Sequence, residues 1–203
     1  VFLSTLVFCL VFFVRGGTGR YNQVNIFNNF ETDFFQWQQL QEDALAQSPK
    51  YISRLVHNKI TNNFFIFADN YFDYFSGDFL FARGGLPIWY NIPRMGLMYI
   101  VELPFLIFGL YWLIKSNNKM YKVPLIWLLV APVVPAITMD DIPNINRSIS
   151  MVPALEIIVA VGFLNAMNLI NKKTLFLGLS VLLFLGNVLY FGHQYFVNAK
   201  IHK

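Results

Sequence analysis

The sequence predicts an all-α polytopic membrane protein of about five transmembrane helices, the first truncated, with one large helical, aromatic-rich extracytoplasmic loop. Three observations predict it. Only 13% of the residues are charged while 56% are hydrophobic, and mean hydropathy is +0.50. So few charges cannot coat a soluble surface, which ordinarily carries about 25%. The apolar residues gather in runs close to the roughly 20 needed to cross a hydrocarbon core. The short links between those runs alternate between basic and acidic.

Residues 1–14 form the first run, too short to span comfortably and followed by Arg15-Gly16-Gly17. With no basic residue ahead of it, this opening reads as a span cut at its N-terminal side, and a signal peptide is disfavoured. Residues 15–95 form the loop. Residues 96–196 hold the four-helix transmembrane region, with runs at 96–114, 123–139, 148–170 and 174–196, and residues 197–203 begin an extracytoplasmic tail.

Lys115, Lys119 and Lys122 lie in one link, and Lys172 and Lys173 in the next but one. Lysine and arginine are retained on the cytoplasmic side, so both links face the cytoplasm. The loop, the link 140–147 and the tail then share the opposite side. The span 123–139 carries Pro124, Pro132 and Pro135. Interior prolines remove backbone hydrogen bonds, so this span is expected to kink near its outer end and to turn the kink toward protein.

Within the loop, Phe34, Trp37, Leu40 and Leu45 recur at helical spacing from Thr32 onward, which predicts an amphipathic helix along the membrane surface. Ser48-Pro49 supplies a cap and a first helical position for a second helix, running from there to Phe67 or beyond. The stretch from Asn70 to Phe81 alternates aromatics with polar groups and closes on Arg83-Gly84-Gly85-Leu86-Pro87. It reads as a turn-rich aromatic surface, either an interfacial belt or a platform beside a sugar or lipid site.

Ionisable residues in or beside spans are functional candidates because hydrocarbon penalises them. Glu102 sits one turn into its span, expected to bond backbone freed by Pro104, and Glu156 is expected to face the bundle interior. The link 140–147 packs Asp140, Asp141, Asn144, Asn146 and Arg147 together. Arg147 stands at the mouth of the following helix, where a guanidinium fork and helical N–H donors suit a phosphate. A phosphate there implies a lipid headgroup or lipid-linked substrate. The alternative is that Arg147 pairs with Asp140 or Asp141 and staples the loop. The two adjacent carboxylates also admit a divalent cation.

Other chemistries find no support. His57, His193 and His202 lack ligand spacing, Cys9 stands alone, and no phosphate-cradling loop or nucleophile elbow occurs. The net charge of +4 is spread between the spans, which disfavours a nucleic-acid partner.

Several runs resemble a known family in the same order. They are Leu55-Val56-His57-Asn58-Lys59, then Asn70-Tyr71-Phe72-Asp73-Tyr74-Phe75-Ser76-Gly77-Asp78-Phe79-Leu80-Phe81, then Asn91-Ile92-Pro93-Arg94-Met95-Gly96. Glu102-Leu103-Pro104-Phe105 and Asp140-Asp141-Ile142-Pro143-Asn144, with Arg147 and Pro153, continue the likeness. Together they resemble the C-type membrane glycosyltransferases, the protein O-mannosyltransferase and lipid A aminoarabinose transferase group.

The resemblance implies an enzyme of the bacterial plasma membrane that moves a sugar from a polyprenyl-phosphate carrier to an extracytoplasmic protein, lipid or glycan acceptor. It implies that the catalytic carboxylate lies upstream of this chain, which would be the C-terminal part. It makes Arg147 a contact for the lipid phosphate. Asp140, Asp141, Asn144, Asn146, Tyr71, Asp73, Asp78, Arg83, Arg94 and Glu102 are candidates to line the site. A transporter or flippase of lipid-linked substrates, and a noncatalytic membrane scaffold, are the competing readings.

Overall fold

A computed structural model describes residues 25–27 and 30–199. The expected first span at 1–14, residues 15–24 of the loop and the end of the tail lie outside the described residues. Among the described residues the structure is helical, with two isolated bridges and no extended strand. The described residues divide into two compact units, those within Val1–Asp69 with Ile137–Asp140, and those within Asn70–Ala136 with Asp141–Lys203.

In the first unit, α1 (Phe30–Leu45) carries the expected amphipathic pattern, and Phe34, Trp37 and Leu45 are exposed. The turn after it delivers α2 (Lys50–Val56), with Pro49 as its cap residue. The sequence reading placed Pro49 inside the helix and let that helix run on unbroken. The structure instead stops it at His57 and starts α3 (Lys59–Asp73) anew, a helix whose last turn, from Asn70, already belongs to the second unit. Asn58 is the cause, because its Oδ1 accepts the Thr61 N–H at 2.9 Å and so caps α3. Lys59 pairs with Asp33 at 3.0 Å and His57 with Asp43 at 3.4 Å, tying the helices of this unit together. The bridge from Asn25 to Thr138 and the Ile26 N–H bond to the Ile137 carbonyl at 3.0 Å fasten its ends.

In the second unit, the expected helix at 96–114 begins later. Residues 96–98 run instead as a strap, the Leu97 and Met98 N–H groups donating to the Phe79 and Leu80 carbonyls at 3.2 and 2.7 Å. Gly96 permits it, since a Cβ there would strike the Leu80–Phe81 backbone. A 3-10 turn, Ile100–Glu102, then leads into α4 (Leu103–Lys115).

The next run divides where its prolines fall. A 3-10 turn, Lys119–Lys122, precedes α5 (Val123–Val130), and the chain turns at Ala131-Pro132 before the short α6 (Val133–Ala136). Pro132 and Pro135 are buried. Carbonyls beside the interruption find side-chain donors. The Tyr71 hydroxyl donates to the Leu129 carbonyl at 2.8 Å, and the Asn70 amide to that of Ala136 at 3.1 Å.

The two final runs are the most regular. A 3-10 turn, Ile149–Met151, opens α7 (Val152–Leu169), and α8 (Lys173–His193) continues into a π-helical turn, Gln194–Asn198. Among the described residues, three helical stretches are long and apolar enough to cross a membrane: Lys119–Ala136, Ile149–Leu169 and Lys173–Asn198.

The core of this unit is the α4–α7 contact. Gly109 and Gly162 face one another there, and a Cβ on either would land on backbone of the opposite helix. Small residues let helix backbones approach closely where lipid supplies no hydrophobic drive. Phe105 and Phe163 close the seam edge to face, with ring centres 5.2 Å apart.

Candidate functional site

The segment expected to be an aromatic surface is largely structural. Asn70–Asp73 completes α3, and Asp78–Ala82 forms a π-helical turn. Tyr74 is 0% exposed and Phe79 1%, their rings meeting edge to face at 5.5 Å. A pattern of aromatics among carboxylates looks interfacial, yet these two rings are spent on a core. Phe72 stays exposed.

That core is bonded to the polar link. The Tyr74 hydroxyl accepts the Asn144 N–H at 3.1 Å. Leu86 donates its N–H to the Pro143 carbonyl at 2.8 Å and accepts from the Ile145 N–H at 3.0 Å, forming a parallel bridge beside Asn144. Gly85 allows this approach, because a Cβ would meet the Pro143 carbonyl. Burial raises the pKa of the Tyr74 phenol, an effect partly offset by the Asn144 N–H and the positive charge of Arg147. The phenol is therefore a neutral group near physiological pH, and Arg147 lies close enough to act on it electrostatically.

Asn144 also organises the entry to α7. Its Oδ1 accepts the Arg147 N–H at 3.0 Å, and its carbonyl accepts the Ser148 N–H at 3.1 Å. Buried Ser148 donates its hydroxyl to the Ile145 carbonyl at 3.0 Å. Arg147 thus sits half-buried on a rigid turn immediately before the 3-10 turn that opens α7. A guanidinium so placed can offer paired donors to an anion without reorganising its backbone.

The remaining candidates are dispersed. Asp78 and Arg83 pair with each other at 3.3 Å on an exposed face. Asn146 and Arg94 are exposed, Arg94 with a φ of +60°. Asp73 is exposed at the end of α3, and the Tyr71 hydroxyl serves Leu129. Asp141, next to Asp140 in the link, adopts a φ of +52°. Among the described residues no group of three or more His, Cys, Asp or Glu is placed to hold a metal ion.

The two span carboxylates fare differently against expectation. Glu102 is buried, and its Oε2 accepts the Tyr99 N–H at 2.9 Å, closing the 3-10 turn and leaving the backbone near Pro104 alone. Glu156, expected to face the bundle interior, lines the cavity between α4, α7 and α8 and is exposed within it. Tyr74 was missed as an anchor. A partly readable signal existed, since a Tyr followed five residues later by Phe flanks the Ser76-Gly77 turn. Comparison of the chain with protein-family models, with characterised proteins and with solved structures finds no match.

Proposed function

We propose that this chain is the carrier-binding part of a bacterial plasma-membrane glycosyltransferase, which moves a sugar from a polyprenyl-phosphate carrier to an extracytoplasmic acceptor. The apolar helices put the chain in a membrane, and the ordered sequence resemblance supplies the reaction class. One observation carries the reading: the aromatic segment and the arginine-bearing turn belong to a single bonded unit, joined through Tyr74, Leu86 and Asn144. Arg147 would grip the carrier phosphate.

The test is Arg147→Ala in the intact protein, reconstituted in proteoliposomes with a panel of polyprenyl-phosphate sugars. Loss of a charged, paired contact is expected to raise the KM for the donor about 10- to 100-fold, with expression unchanged. Unaltered donor use would remove Arg147 from the site. The rival reading, a transporter or flippase of lipid-linked substrates, would need a polar path for the headgroup at the bilayer midplane. It predicts movement of the carrier across the bilayer with no transfer of sugar.

A further inference from the structure

Between α4, α7 and α8 lies a cavity of about 420 Å³, walled by apolar side chains such as Phe105, Phe163 and Phe184. Three polar groups interrupt that wall: Glu102, Glu156 and Ser180. Glu102 is only 6% exposed and Ser180 only 5%. One Glu102 oxygen holds the Tyr99 N–H. Among the described residues nothing hydrogen-bonds to its other oxygen or to the Ser180 hydroxyl. Glu156 lies near enough to Glu102 for their charges to repel, and among the described residues no basic side chain lines the cavity. The same two carboxylates also wall a smaller neighbouring cleft of about 200 Å³, beside Tyr99 and Phe191.

Each feature narrows the occupant. Two carboxylates in apolar surroundings attract a cation and reject an anion. A bare divalent ion suits the site poorly, because it takes six or more oxygen ligands and the wall offers few. Aromatic faces favour an organic ammonium, and a free hydroxyl adds one acceptor. The volume falls within the roughly 300–1,000 Å³ of small-molecule sites, and the apolar wall suits a hydrocarbon body.

We propose that this cavity binds the ammonium head and adjoining alkyl chain of a cationic amphiphile drawn from the membrane. The site is separate from the carrier-binding reading, because an anionic phosphate head would be repelled by Glu102 and Glu156. Failure of one proposal therefore leaves the other standing.

The experiment measures thermal unfolding of the protein in phosphatidylcholine nanodiscs with decylammonium, decanol or decanoate. Decylammonium is expected to raise the midpoint saturably, while decanol and decanoate at equal concentration leave it near its starting value. Glu156→Gln, which keeps side-chain size on an exposed group, is expected to weaken the decylammonium effect about tenfold in concentration. Ser180→Leu, which fills the cavity, is expected to weaken it likewise. Equal stabilisation by decanol would overturn the proposal, as would wild-type decylammonium affinity in Glu156→Gln. If Ser180→Leu does not fold, the glutamine variant decides alone.

Discussion

Glycine plays opposite parts in two regions of the second unit. At the α4–α7 seam, Gly109 and Gly162 stand where no Cβ fits, each pressed on the backbone of the opposing helix. Along α8, Gly178, Gly186 and Gly192 have nothing within 4 Å of where a Cβ would stand, and Ser180 is the one buried residue of that helix. Both helices are apolar all round, so hydropathy does not tell them apart. What separates them is whether a small residue meets another small residue across a crossing. The α4–α7 pair is held by packing, whereas α8 offers most of its leucine surface to lipid or to further protein.

Substitutions can break or sharpen this contrast. Gly162→Leu is expected to have the largest effect, about 3 kcal/mol or more, because neither backbone can retreat from the new side chain. Its signature is a collapsed unfolding midpoint in detergent, or no folded material. Tyr74→Phe comes next, at about 1–3 kcal/mol, since the buried Asn144 N–H would lose its acceptor. Amide exchange at Asn144 and Leu86 should rise with it; unchanged exchange would show that the phenol does not hold the turn. Gly186→Leu should be smallest, within about 0.5 kcal/mol of wild type in the same assay. A loss there as large as at Gly162 would mean that another protein surface covers α8.

The sequence made the long runs legible because length and hydropathy alone define them. Runs expected at 148–170 and 174–196 correspond to Val152–Leu169 with its leading 3-10 turn and to Lys173–His193 with its trailing π turn. The first helix of that region was misplaced because apolar residues serve equally as a strap. Nothing in Gly96-Leu97-Met98 tells that their N–H groups bond to Phe79 and Leu80. Facing was harder still. Glu156 was assigned to the interior on the cost of a charge in hydrocarbon and does line the interhelical cavity, but a helix without a polar side carries no pattern from which the rest of its rotation could be read.

The candidate site was legible in composition and hidden in geometry. A dense polar link announces Arg147 and Asn144, yet their joint turn depends on Asn144 bonding forward to Arg147 and Ser148. The pairing of Asp78 with Arg83 was within reach, at five residues apart around one turn. Burial of Tyr74 and Phe79 depends on a partner about 70 residues further on, beyond any local pattern.

The interrupted span has a mechanical consequence. Tyr71 and Asn70 hold carbonyls on either side of the Ala131-Pro132 turn, so the last turn of α3 acts as a splint across a fracture. Swinging α6 relative to α5 would strain or release those two bonds. The aromatic segment and the broken helix are thereby geared together, and force applied to one is delivered to the other.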